Sequence, residues 1–488
     1  MNIIDRFFKV VKKYPNRICV EDTEKKFTYL DLSNISNKIA NNINSFSGEN
    51  RILILLKQGF HAYGAMFGSL LSGGYYSACN IDAPIEKKKK ILKIFSPTII
   101  ISTKKEYKKL ISSKKSTISF IDIEKLSNNF FNQSFRKHRY AYVCFTSGST
   151  GDPKGVIISQ KSLSNYIDWA IKNMKLSIND RWSQHPNISF DLSVLDIYGA
   201  LCSGGTLYPF NSAMDRMMPA QAIKKFNLTI WNSVPSVIGM MIKAGQLKSK
   251  FLKSLRLASF CGEPLLKYHV KYFLKACPKI IIHNTYGPTE STVSMTLIKI
   301  NKDVDLDKIC DESVSIGKSI TNTNLYLFGG QNKNEGEIVI TGKQLADGYW
   351  KLPKENKKSF KKIKVNGKFL RAYFTGDWAK KKNGYLFFKK RLDRQSKIKG
   401  YRIELDAIDN QISKLTKCQS LSVVVKNKLY CFIEKNKNKN KINLEKINLK
   451  LRKKIDDYCI PNKYIFIDVF PRNQNDKIDL NKIVQEYL

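Results

Sequence analysis

Apolar and polar residues alternate along this chain with two different periods, and the change of period marks its organisation. Met1–Val11 has the pattern of a short amphipathic helix with an early Asp5. Arg51–Leu56 is a short aliphatic run and predicts a strand. Ala62–Leu71 carries small and apolar residues at helical spacing and stops at Gly73-Gly74. Thr98–Ser102, centred on Ile99-Ile100-Ile101, predicts a second strand. The alternation continues through Ala200–Leu207, Leu228–Trp231, Leu255–Phe260 and Ile280–His283. Strands separated by helices imply parallel sheets with helices on their faces.

From about residue 322 the segments become shorter and β-rich, at Asn324–Phe328, Gly336–Thr341 and Tyr385–Phe388. They predict a small barrel-like part. Arg391–Gln395 has the look of a domain junction. Beyond it, Gly400–Leu405 leads into a helix at Asp406–Leu415, strands at Leu421–Lys426 and Leu429–Ile433, and a helix near Leu444–Ile455. The Lys- and Asn-rich stretch Asn436–Ile442 is a polar connection. The expected architecture is a large α/β domain over 1–392, with layered parallel sheets, helices and the barrel-like part, followed by a small α+β domain over 393–488. A chain of 488 residues is too long for one core, which agrees with two domains.

Composition narrows the classes. Hydrophobic residues at 42% and aromatics at 11% exclude a disordered chain. The ten Cys are scattered with no C-x-x-C pair, and the five His do not cluster with them. This argues against a zinc site or a disulfide framework and for a reducing, cytoplasmic compartment. No apolar run approaches the ~18 residues of a membrane span, so no membrane insertion is expected. The net charge of +43 is large, but the excess is Lys, it is spread along the chain, and no nucleic-acid-binding signature accompanies it. A solvated basic surface is the first expectation and attraction to an acidic protein the second; nucleic acid is not expected.

Chemistry concentrates at residues 146–155, Thr-Ser-Gly-Ser-Thr-Gly-Asp-Pro-Lys-Gly, directly after the apolar run Tyr142–Phe145. A strand that enters a loop dense in Gly, Ser and Thr suits a polyphosphate. Its glycines let the backbone approach closely, amides and hydroxyls donate to phosphate oxygens, and Lys154 adds positive charge. The order is not that of a Walker A loop, because the last Gly follows the Lys.

Four further motifs follow: Asn284-Thr285-Tyr286-Gly287-Pro288-Thr289-Glu290, Tyr373–Asp377, Arg391–Glu404 and Asn475–Asp479. In this order the five strings resemble the adenylate-forming enzyme superfamily over nearly the whole chain. The resemblance implies ATP-driven activation of a carboxylate. Thr146, Ser147, Gly148, Ser149, Thr150, Gly151 and Lys154 would cradle phosphates. Asn284, Thr285, Tyr286, Gly287 and Pro288 would line the adenine side. Thr289 would offer a hydroxyl to phosphate and Glu290 a carboxylate to Mg²⁺, which one or two carboxylates and phosphate oxygens usually hold. Asp377 would accept the ribose hydroxyls, and Arg391 would reach ribose or phosphate. Lys477, from the small domain, would bridge substrate carboxylate and phosphate. Asp393 falls at the hinge about which a mobile small domain would swing between two half-reactions. Two positions depart from the family pattern: Asp476 stands where Gly is usual, and Lys390 where Gly commonly precedes the Arg.

The stretch Ser189–Asp196 bears on which carboxylate is activated. Members that activate amino acids carry a similar Phe-Asp-x-Ser, whose Asp binds the α-ammonium group. Asp191 matches it, although the same position suits a helix N-cap. By resemblance the pocket continues through Leu192, Leu195, Ser236, Ser259, Cys261, Thr285, Val293 and Ser294, with no charge for a charged side chain. Trp231, Phe260 and Met240 lie nearby in sequence and are expected to narrow it, and His185 is assigned a structural role with no partner named. Within the superfamily the likeness runs furthest to enzymes that load D-alanine onto an acidic, phosphopantetheinylated carrier protein in trans. There a Cys like Cys261 faces the α-carbon, and a Val like Val293 gives a carbonyl to the ammonium. The alternatives are a stand-alone adenylation enzyme for another small amino acid and, further off, an acyl-CoA synthetase.

Overall fold

The computed structural model describes residues 1–22, 24–111, 117–126, 139–148, 152–435, 443–472 and 478–488. The chain divides into two compact units. Met1–Asp82, Ile91–Thr146 and Lys154–Leu392 form the first; Ala83–Lys90, Ser147–Pro153 and Asp393–Leu488 form the second.

Among the described residues the first unit contains sheets of seven, nine and five strands. In the seven-stranded sheet, Arg51–Leu55 lies parallel between Tyr75–Ala78 and Ile99–Ser102. Ile99–Ser102 is buried at every position, so it reads as an unbroken apolar run and not as an alternating one. Tyr140–Thr146 and Lys154–Ser159 are antiparallel neighbours in the same sheet. The nine-stranded sheet carries Thr206–Pro209, Arg181–Gln184, Ile230–Ser233, Leu257–Phe260 and Ile281–Tyr286 as parallel neighbours. The β-rich region after residue 322 forms the five-stranded antiparallel sheet of Thr323–Gly329, Glu335–Gly342, Phe360–Val365, Lys368–Lys382 and Tyr385–Arg391.

The helix Leu192–Ser203 is buried on nearly every side. It shows how the alternation passes through the apolar run Ala200–Leu207. The helix ends at Ser203, Gly204 closes it at φ +87°, and a strand begins at Thr206. An unbroken apolar run hides such a boundary, because helix and strand are both buried here. The N-terminal helix Ile3–Lys13 is capped by the Asn2 side chain, and Phe7 packs against Phe67 and Tyr29. The main core runs from these rings to Tyr166, Trp182 and Tyr198. Each such side chain contributes roughly 1.5–3 kcal/mol by burial.

In the second unit, Gln395–Ile398 pairs with Tyr401–Glu404, and the helix Leu405–Thr416 follows. Arg394 ties this helix down through Asp406 at 2.5 Å and Asp409 at 2.8 Å. Ser420–Val425, Lys428–Glu434 and Lys463–Ile467 form a three-stranded sheet, accompanied by the helices Leu444–Arg452 and Leu480–Tyr487. Among the described residues no helix is long and apolar enough to cross a membrane.

Three imidazoles are held neutral by burial. Desolvation, aided by Lys299 and Arg256, lowers His283 to about 3; desolvation lowers His269 to about 4; desolvation, aided by Arg216, lowers His185 to about 4. An unfolded imidazole titrates near 6.5. Between that value and the folded ones the unfolded chain binds more protons, so stability rises with pH across the window and levels off above about 7. The denaturant midpoint is therefore expected to fall between pH 7 and pH 5, before most carboxylates titrate. His283→Gln should lose less over that interval than the parent protein. A midpoint independent of pH across the window would contradict this account.

Candidate active site

The phosphate-loop segment joins two antiparallel strands whose last and first residues, Thr146 and Lys154, are paired across the ladder. The Thr146 hydroxyl donates to the Lys154 carbonyl at 3.4 Å. Gly155 has no room for a side chain: a Cβ there would lie 2.7 Å from Val143 Cγ1. Ser147 and Gly148 belong to the second unit, where the Ser147 hydroxyl donates to the Arg402 carbonyl at 2.7 Å. Ser149, Thr150 and Gly151 lie outside the described residues, as do Asp476 and Lys477.

The strand Ile281–Tyr286 delivers the second motif. Asn284 donates to the Ser315 carbonyl and Thr285 to that of Phe260, so both side chains are held inside the sheet edge. Tyr286 donates to Asp377 Oδ2 at 2.6 Å, and Arg391 binds Asp377 Oδ1 at 2.6 Å. Burial first, and then the Asp377 charge, push the Tyr286 pKa well up, so its phenol stays a donor. Three residues from three sequence motifs thus meet at one carboxylate. Gly287 is required by a close approach: its Cβ would lie 2.6 Å from Ser294 Cα. Pro288 leads into a single 3₁₀ turn, Thr289–Ser291, and the Thr289 carbonyl accepts from Thr292 N–H. Glu290 is fully buried, and Tyr349 donates to its Oε1 at 2.8 Å. Lys390 is exposed. The Asp393 carboxylate accepts the Gln395 amide at 3.1 Å and opens the hairpin of the second unit.

Asp191 sits half-buried at the N-terminus of the helix Leu192–Ser203, and its side chain does not cap the helix. The Phe190 carbonyl instead accepts from both the amide and the hydroxyl of Ser193. The N-cap alternative is therefore set aside for this carboxylate. Asp196, one turn further on, is fully buried, and burial pushes its pKa well up. Cys261 follows the strand Leu257–Phe260 and is buried.

Val293 has φ +69° and Thr292 +58°, a conformation that β-branched residues rarely adopt. Ser294 N–H reaches back to the Thr292 carbonyl at 2.9 Å, closing a tight turn around Val293. Gln344 imposes this turn. Its carbonyl accepts from the Thr292 hydroxyl at 2.6 Å, and its side-chain amide donates to the Ser294 carbonyl at 2.9 Å. Gln344, Tyr349 and Tyr166, whose hydroxyl lies 3.2 Å from Ser294 Oγ, carry no sequence signal. Each acts through a partner remote in sequence, and none stands in a chemical motif.

His185 has partners: Trp231 Nε1 donates to its Nδ1 at 3.3 Å, and the Ser233 hydroxyl lies 3.2 Å from the same atom. Trp231 and Phe260 pack with Phe273 in a core beneath the strands, and Met240 is 42% exposed. Trp231 and Phe260 thus belong to core packing, and Met240 lies at the surface.

Known proteins resemble this chain over its length. The family of AMP-binding enzymes matches residues 7–350. The D-alanine–D-alanyl carrier protein ligase of Listeria monocytogenes serotype 4b (strain F2365) is 30% identical, with 99% of each chain aligned. The protein of the same name from Lactococcus lactis is 29% identical over 100% of this chain and 99% of its own. Among solved structures, the Vibrio cholerae adenylation domain AlmE, in complex with glycyl-adenosine-5′-phosphate, superposes with a TM-score of 0.84 at 24% identity, covering 99% of this chain and 97% of that one. A fused adenylation–carrier di-domain from Klebsiella oxytoca gives 0.82 at 19% identity, covering 95% and 93%. With the phosphate-loop strands and the Asp377 cluster in place, the end-to-end match identifies the chain as a member of the AMP-binding enzyme family and an AMP-forming ligase.

Proposed function

We propose that this ligase adenylates a small amino acid, D-alanine first, and passes it to the phosphopantetheine thiol of a carrier protein. Asp191 carries the proposal: a carboxylate at the mouth of a buried helix that does not serve as its cap. An ammonium drawn out of water needs such a partner, which a fatty or aryl acid does not. The carbonyl of the constrained Val293 turn is the second anchor for the ammonium, and Cys261 is the wall on the α-carbon side. The name shared by the Listeria and Lactococcus relatives supports D-alanine and a carrier protein.

In the first half-reaction a substrate carboxylate oxygen attacks the α-phosphorus of ATP, and the bond to pyrophosphate breaks. Negative charge grows on phosphoryl oxygens, so donors and cations fixed beforehand lower the barrier. Lys154, the hydroxyls of the phosphate loop, Thr289 and Lys477 are assigned this part. Asp377 receives the ribose hydroxyls, with Tyr286 and Arg391 fixing its carboxylate. The cramped sites at Gly155 and Gly287 suit a backbone that a nucleotide approaches closely. Glu290, a single buried acid, suits Mg²⁺, which takes few protein carboxylates and several phosphate oxygens; when bound the ion supplies charge neutralisation at the phosphates. In the second half-reaction the carrier thiol attacks the acyl carbon, AMP leaves, and a thioester forms. A lid over 393–488 that turns about Asp393 is assigned the exchange between the two steps. An acidic carrier would be drawn to a chain of net charge +43, and ten free cysteines suit a reducing cytoplasm.

Exchange of labelled pyrophosphate into ATP tests the substrate class. D-alanine is expected to support exchange at least tenfold better than L-alanine, glycine or serine, and all of these better than fatty or aryl acids. Asp191→Ala should raise KM for the amino acid on the order of 10²–10³, the scale of a broken buried ion pair, and leave KM for ATP unchanged. Faster exchange with fatty acids would replace amino-acid activation by acyl-CoA synthesis.

Lys477 is expected to serve adenylation alone. Lys477→Ala should slow adenylate formation on the order of 10²–10³, yet load a carrier from preformed aminoacyl-adenylate at nearly the parent rate. Equal damage to both half-reactions would make Lys477 a structural residue.

A further inference from the structure

Tyr166 stands in none of the sequence motifs, yet it lies among the residues assigned to the amino-acid pocket. It projects from the helix Gln160–Asn173, is fully buried, and stacks on Trp169 with ring centres 5.6 Å apart. Its hydroxyl meets Ser294 Oγ at 3.2 Å across 128 residues of sequence. Ser294 has little freedom to move. Its amide is bound to the Thr292 carbonyl, its own carbonyl is bound by Gln344, and its Cα sits against Gly287 so closely that a Cβ there would come within 2.6 Å. Tyr166 and Ser294 are thus two buried groups fixed from opposite sides, next in sequence to the Val293 carbonyl. Burial pushes the Tyr166 pKa up, the Ser294 hydroxyl opposes this, and electrostatic interaction with Cys261, Asp191 and Asp196 adds to the rise. The phenol is therefore neutral, and it lies within electrostatic reach of both the residue assigned to the ammonium and the residue assigned to the α-carbon.

We propose that Tyr166 sets the depth of the amino-acid pocket by holding Ser294, so that side chains larger than those of alanine and serine are turned away. A rigid neutral wall is a means of excluding larger substrates, because a packed pocket rejects added methylenes by overpacking. This inference rests on the amino-acid-activating function proposed above. Tyr166 acts through Ser294, so it is a positioning residue and not a catalytic one.

The test is pyrophosphate exchange in the full-length enzyme with alanine, serine, valine and leucine. Tyr166→Phe and Ser294→Ala each remove one hydroxyl and keep the surrounding volume. Each should raise KM for alanine three- to tenfold and leave KM for ATP unchanged. The double variant should be no worse than the poorer single one, because both changes break the same bond. Tyr166→Ala should raise exchange with valine or leucine, relative to alanine, at least tenfold; if that variant does not fold, Tyr166→Leu takes its place and the double-mutant cycle stands alone. Additive effects in the cycle, or a shortened Tyr166 that still rejects valine and leucine, would overturn the proposal. A parent enzyme that accepts small amino acids while the variants keep its ranking removes only the role of Tyr166. A parent enzyme that exchanges with no amino acid removes the function on which it rests.

Discussion

A carboxylate taken out of water must be given partners, and Asp377 shows how much of the first unit follows from that requirement. Asp377 and Arg391 face each other across one ladder of the five-stranded sheet. Tyr286 comes from the end of a strand in the nine-stranded sheet and takes the second carboxylate oxygen. The Asp377 amide is held in turn by the Thr375 hydroxyl, which donates to the Ile338 carbonyl. One buried charge therefore joins two sheets with charge-assisted bonds, each typically worth about 1.5–3 kcal/mol. The place where the sheets are joined is also where three of the sequence motifs meet, at Tyr286, Asp377 and Arg391.

The same economy governs the neighbouring acids. Glu290 is matched by Tyr349, and Asp180 by Arg256 at 2.7 Å. Burial of Asp196 instead favours its protonated form. Asp191 and Asp196 lie five residues apart on one short stretch, yet one is half-buried and the other is sealed.

Much of this was legible in the sequence where the signal is local. The strings Tyr-Gly-Pro-Thr-Glu and Thr-Gly-Asp marked residues that the fold brings together, the first at the end of Ile281–Tyr286 and the second within Lys368–Lys382. The shift to short β segments after residue 322 marked the five-stranded sheet. The boundary inside Ala200–Leu207 is not legible in the sequence, because a buried helix and a buried strand share the same apolar alphabet, and the break falls at Gly204. Met240 is exposed, because nearness in sequence does not determine which side of a helix faces inward. His185 gained its partner from a neighbouring strand, Ile230–Ser233. Gln344 and Tyr166 were invisible for a stronger reason: a lone Gln or Tyr has no period and no motif, and its meaning lies in a partner fifty or more residues away.

The turn at Thr292 and Val293 has a consequence for the order in which the protein is assembled. No local preference of these two residues favours their backbone; an isolated segment would relax to the extended region that β-branched residues prefer. Gln344 holds it, and Gln344 reaches its place only when the segment after Glu335–Gly342 is packed beside the end of Ile281–Tyr286. The turn proposed above as an anchor for the ammonium is thus not a preformed local motif. It comes into being with the joining of the sheets, so a partly folded chain with intact strands would still lack it. Proteolytic fragments or early translation products should then be unable to sequester the substrate, and recognition becomes a property of the completed domain alone.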